Sequence, residues 1–125
     1  MRLVARAPCF PTEDKEKVRQ ALLNLFPLGE VEERESELIV RTDSGDKLRQ
    51  IILDHHIRDT ARSMMLCGRT GNRAYFRLNK QVAYVGKVSF VEGQPALGSI
   101  DVELEDEDLD RAIDFLAEST VEVRQ

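Results

Sequence analysis

Apolar and polar residues alternate at period two in Arg2–Ala7, Glu37–Thr42 and Ser99–Glu105, so each segment reads as a strand with one buried face. In the first, Leu3, Ala5 and Ala7 oppose Arg2, Val4 and Arg6. In the second, Leu38 and Val40 oppose Glu37, Ile39 and Arg41. In the third, Ile100, Val102 and Leu104 oppose Ser99, Asp101, Glu103 and Glu105, which gives that strand one acidic side. Glu30–Glu35 is a weaker, highly charged strand suited to a sheet edge. The longest alternation is Arg73–Phe90, RAYFRLNKQVAYVGKVSF, which reads as a hairpin turning at Lys80-Gln81.

Helical periodicity occupies the intervals. Val18, Ala21, Leu22 and Leu25 form one apolar stripe behind an N-cap expected at Thr12, and Pro27 and Gly29 end it. A second region runs from a cap at Ser44 or Asp46 to Gly68. Leu48, Ile51, Ile52 and His55 share one face there, whereas Leu53, Ile57, Ala61, Met64 and Met65 point another way. Either two helices meet at a bend near His55–Ile57, or one straight helix is buried on both sides. Asp106 is expected to cap a last helix with the stripe Leu109, Ala112, Ile113 and Leu116. Arg69–Asn72 and Glu92–Ser99 read as connections, and Glu118–Gln125 as a tail of weak alternation.

The order β-α-β-β-α(α)-β-β-β-α predicts an α+β fold. It is a two-layer sandwich with a mostly antiparallel sheet and helices on one face, in a single domain over residues 1–125. The other sheet face is left open. With a two-residue turn, Arg77 pairs with Tyr84 and Arg73 with Val88. The open face then carries Arg73, Tyr75, Arg77, Tyr84, Val88 and Phe90, while Phe76, Leu78, Ala83 and Val85 lie under the helices.

Charge sharpens the interest of that face. The net charge of −5 hides a segregation: residues 1–46 balance at −3, residues 47–87 at +7 and residues 88–125 at −9. An acidic protein with a basic middle can meet RNA through its local field. The same middle can instead pair internally with the acidic end, and both readings stand at this point. No apolar run is long enough to span a bilayer and no signal-peptide core is evident, so a cytoplasmic location without membrane contact is expected. Cys9 and Cys67 have no metal-ligand spacing and are expected to be free thiols.

Catalytic chemistry finds no foothold. Asp54-His55-His56 spells a triplet known from metal-dependent phosphoesterases, but adjacent helical histidines diverge by about 100° and no other histidine is present. Gly68-Arg69-Thr70-Gly71 is not a phosphate-binding loop. The acids Asp101, Glu103 and Glu105–Asp108 are read as solvation and as complement to a helix dipole. No nucleophile, base and oxyanion site assembles, so neither catalytic residues, cofactor nor metal are expected.

IRDTAR at Ile57–Arg62, FRLNKQVAYVGKVSF at Phe76–Phe90 and PALGSI at Pro95–Ile100 resemble blocks of an uncharacterised archaeal protein family. PTEDKEKVRQAL at Pro11–Leu22 and IDFLA at Ile113–Ala117 extend the resemblance over most of the chain. That family is classed as predicted RNA-binding, with a fold like the ribosomal protein that binds 5S rRNA. The resemblance implies the same fold and a non-catalytic role with RNA in translation or RNA processing. Arg58 departs from an aliphatic residue usual in the family, and Phe115 from a tryptophan. The candidate RNA contacts are Arg58, Arg62, Arg69, Arg73, Tyr75, Arg77, Lys80 and Lys87. The alternative is a homodimeric interaction module whose subunit face contains Tyr75, Tyr84, Val88 and Phe90.

Overall fold

The computed structural model describes residues 1–92 and 98–118. Part of the connection before Ser99, with the first three residues of PALGSI, and nearly all of the tail lie outside these residues. Strands β1 (Arg2–Pro8), β2 (Glu30–Glu33), β3 (Glu37–Thr42), β4 (Arg69–Thr70), β5 (Arg73–Asn79) and β6 (Ser99–Glu105) form one sheet. Its order is β2-β3-β1-β6-β5-β4, and every neighbouring pair is antiparallel. Helices α1 (Lys15–Leu25), α2 (Asp46–Asp54), α3 (Arg58–Cys67), the single turn α4 (Lys80–Ala83) and α5 (Leu109–Leu116) complete the described elements. This is an open-faced α+β sandwich.

Strand alternation builds the core. Leu3, Ala5 and Ala7, Leu38 and Val40, Ala74, Phe76 and Leu78, and Ile100, Val102 and Leu104 lie on one side of the sheet. They meet the expected stripes of α1 and α5, together with Leu48, Ile51 and Ile52 of α2 and Ala61 and Met65 of α3. The bend is real: α2 ends at Asp54 with His55 as its C-cap, His56 takes a positive φ of 55°, and α3 starts at Arg58. Both histidines are exposed.

The caps differ in detail from the expectation. Asp14, not Thr12, accepts from the Glu16 N–H at 3.0 Å, and Asp108 accepts from the Arg111 N–H at 3.2 Å. Asp106 instead accepts from the Asp108 N–H at 2.8 Å, one step earlier. Gly45 precedes α2 without a side-chain cap.

The expected hairpin over Arg73–Phe90 is the main correction. Asn79 ends β5 and becomes an N-cap, its side-chain oxygen accepting from the Val82 N–H at 3.1 Å. A satisfied cap turns Lys80–Ala83 into helix where strand alternation seemed to continue. The chain then tightens through Gly86, at φ 74°, and returns beside β5 only at one bridge, Leu78 opposite Phe90. Hydrogen bonds from Asn79 N–H to Ser89 O and from Val91 N–H to Arg77 O flank that bridge. The actual two-residue hairpin is β4–β5, turning at Gly71-Asn72. With φ 62° at Gly71 alone, its geometry is that of a type II′ turn.

Candidate nucleic-acid interface

With the register known, the open face can be read across its strands. One row places Arg2, Glu105 and Arg73 side by side, a second Arg41, Val4, Glu103 and Tyr75, and a third Ile39, Arg6, Asp101 and Arg77. Basic β1 and β5 thus flank acidic β6. Ile39 belongs to this face and not to the core cluster, yet it is fully buried. Arg6 and Glu32 are its cross-strand neighbours.

Opposite charges on neighbouring strands form ion pairs. Arg73 bridges Glu103 at 3.0 Å and Glu105 at 2.7 Å, and Arg77 lies 3.5 Å from Asp101. Hydrogen bonds to the Tyr75 hydroxyl first, and to Glu105 next, hold the Arg73 guanidinium above its ordinary pKa. Tyr75 is 47% exposed and its hydroxyl donates to Glu103 at 3.4 Å. On the helical side, Arg62 pairs with Asp114 and reaches the Ala117 carbonyl at 3.3 Å, while Arg69 pairs with Asp110. The basic middle of the chain therefore does fold onto the acidic end. These pairs are solvent-accessible and screened, so they contribute little and remain exchangeable for phosphate.

Lys80 leaves the candidate RNA surface. It is 1% exposed, and its ammonium donates to the Pro8 carbonyl and to Glu13 Oε1, each at 2.7 Å. The Phe10 ring lies 5.1 Å away. Burial pushes the Glu13 carboxyl up, but hydrogen bonds from Lys80, the Phe10 N–H and the Tyr84 hydroxyl outweigh it and hold the pKa below its ordinary value. Tyr84, 3.0 Å from Glu13 Oε2, is pushed up to about 12, by burial first and by Glu13 second.

The expected dimer face also comes apart. Val88 is buried in the core, Phe90 packs on Phe76 with ring centroids 5.8 Å apart, and Tyr84 turns to Glu13. All three follow α4 round to the helical side, leaving Tyr75 alone on the open face. Val85, expected under the helices, is 70% exposed. Arg58 and Lys87 have no ion-pair partner among the described residues and stand apart from the sheet face.

Arg2, Val4, Arg6 and Arg41 belong to the face although they were not among its expected residues. Their alternation was visible in sequence; the neighbour relations of β1 were not. A depression of about 310 Å³ lies where the second and third rows meet, lined by Val4, Arg6, Tyr75, Arg77, Asp101 and Glu103 with backbone beneath. No group of three metal-ligating side chains occurs among the described residues. No described helix is long and apolar enough to cross a membrane.

An antiparallel α+β sandwich with a free, arginine-rich sheet face defines the class of the molecule. A family model described as RNA binding matches residues 2–105. The UPF0201 protein of Methanopyrus kandleri is 38% identical, aligned over 97% of this chain and 87% of its own. The crystal structure of the UPF0201 protein from Methanococcus jannaschii superposes with a TM-score of 0.89 at 36% identity, covering 97% of this chain and 96% of that one. A second UPF0201 crystal structure gives 0.90 at 34% identity, covering 100% and 99%. The chain belongs to this archaeal family, the UPF0201 proteins.

Proposed function

We propose that the protein is a non-catalytic RNA-binding protein of the cytoplasm, acting in translation or RNA processing, and that RNA lies on the open sheet face. The carrying observation is Tyr75, half exposed between Arg73 and Arg77 on that face, in a chain whose family model is described as RNA binding. Exposed aromatic and guanidinium planes on a sheet stack on unpaired bases, and the arginines can trade carboxylates for phosphates. The open-faced sandwich also supports a kinship with the ribosomal protein that binds 5S rRNA. A homodimer through this face would have only Tyr75 and Val4 as apolar anchors, so RNA is the favoured partner.

Binding of a mixed-sequence, twenty-nucleotide single-stranded RNA, followed by fluorescence anisotropy, tests the reading. Micromolar or tighter binding that weakens with salt is expected. The pair Arg73→Gln and Arg77→Gln should weaken it at least tenfold and reduce the log–log salt slope by about 1.4, the loss of two phosphate contacts. Glutamine is the right replacement because a glutamate at 73 would face Glu103 and Glu105. Wild-type affinity in the double variant would remove these residues from the interface. Failure of the wild-type protein to bind at low salt would remove the function.

A further inference from the structure

Phosphate binding gives the acids of β6 no role beyond their pairs with Arg73 and Arg77. A face evolved only to hold a polyanion gains nothing from Asp101 and Glu103 at its centre, because each repels phosphate. These carboxylates become useful if the ligand brings hydrogen-bond donors to them. Among RNA groups, the 2′-hydroxyls and the base edges carry such donors, and only a base edge offers two side by side to one carboxylate.

Building on the RNA reading, we infer that the depression over Val4 and Asp101 is a pocket for a single unpaired guanine. Its third-row wall sets Arg6 opposite Asp101 on the neighbouring strand, and both side chains line the depression. A five-donor fork and a two-oxygen acceptor thus face one and the same ligand-sized space. Guanine presents the complementary sequence along one rim. The N2 amino and N1–H donors come first, and the O6 and N7 acceptors follow.

Asp101 Oδ1 accepts from Ser99 Oγ at 2.8 Å, and the side chain remains 59% exposed, with acceptor sites to spare. Arg6 is 50% exposed, and its nearest carboxylate, on Glu37, is 3.8 Å away, beyond hydrogen-bond reach. Its fork is therefore available for O6 and N7. Val4 offers an apolar floor, and Tyr75, across Glu103 from Val4, a ring on which the base can stack.

Other bases fit the row less well. Adenine would turn its N1 lone pair toward the Asp101 carboxylate, placing acceptor against acceptor. Uracil and cytosine each lack two donors beside two acceptors. The specificity thus resides in Asp101, whereas general affinity resides in Arg73, Arg77 and Tyr75.

Four RNA heptamers test this: a central guanine, adenine or inosine within uridines, and heptauridine. Guanine should bind about tenfold tighter than adenine, the discrimination expected of one bidentate contact. Inosine, which lacks the N2 amino group, should lose most of that gain. Asp101→Asn should bring guanine within about twofold of adenine, while heptauridine binds as well or more tightly because a charge that repels phosphate is gone. Equal binding of guanine and adenine by a protein that binds the twenty-nucleotide RNA overturns the pocket and leaves the RNA reading intact. Guanine preference persisting in Asp101→Asn overturns the assignment to that carboxylate. If neither heptamers nor the longer RNA bind, both readings fall.

Discussion

Burying an ammonium is costly, and Lys80 is tolerated because every direction around it is answered. Two 2.7 Å hydrogen bonds, one of them to a carboxylate, and the face of Phe10 replace its hydration. Removing one member of such a pair leaves the other uncompensated. Lys80→Met should therefore cost about 3–5 kcal/mol in urea unfolding, and adding Glu13→Gln should recover part of it. Unchanged stability in the single variant would show the pair to be dispensable. No local pattern reveals this lysine. In sequence it sits at an ordinary polar turn, and its partner Glu13 is 67 positions away.

At the scale of elements, the stripes of α1 and α5 and the alternations of β1, β3 and β6 were legible, and the break between α2 and α3 was one of two readings the sequence left open. Each is fixed by contacts within a few residues. The stretch that departs from expectation follows Asn79, where one side-chain cap outweighs a period-two pattern that resumes beyond Lys80-Gln81. The true hairpin had its own signal in Gly71-Asn72, a pair suited to a two-residue turn. The face itself was half legible, since the alternations of β1 and β5 marked its arginines but nothing marked β6 as the strand between them.

Two glycines around that hairpin are needed for different reasons. Gly71 has open space but a positive φ, so Gly71→Ala should cost about 1–2 kcal/mol. Gly68 has an ordinary φ of −90°, yet an added Cβ would come within 1.8 Å of the Tyr75 carbonyl oxygen. Gly68→Ala must displace backbone and break the 3.0 Å bond from Tyr75 N–H to Gly68 O. It should be the more damaging of the two, at about 3 kcal/mol or more. Thermal melts of both variants give the ranking; the reverse order would contradict the close approach.

For the whole molecule, charge pairing sets the pH range of stability. The carboxyls of Glu13, Glu32, Glu33, Asp106 and Asp110 are all held below their ordinary values. Hydrogen bonds from Arg34, Arg19, the Asp108 N–H and Arg69 are the leading causes at the last four. A lowered folded pKa adds stability above the unfolded value, and that stability is lost as pH falls through the folded one. Tyr84 has the opposite sign: its contribution is present below its ordinary 10.0 and is lost as pH rises toward about 12. The melting temperature should therefore be level near neutrality, falling below about pH 4.5 and again above about pH 10. Tyr84→Phe should flatten the alkaline fall. A wild-type melting temperature unchanged down to pH 3 would contradict the acid side.

The centre of the sheet joins distant parts of the chain, with Arg2 opposite Glu105 and Arg6 opposite Asp101. During synthesis β1 and its partner β3 are both made well before β6, the last of the strands in chain order. Until then one edge of its ladder is unmet and Leu3, Ala5 and Ala7 are only partly covered. Pairings of such long sequence separation are slow to form and expose apolar surface while they do. The same late event creates the binding face, because Arg6 and Asp101 become neighbours only when β6 docks. A nascent or partly folded chain therefore has no guanine pocket, so recognition is restricted to molecules that have finished folding.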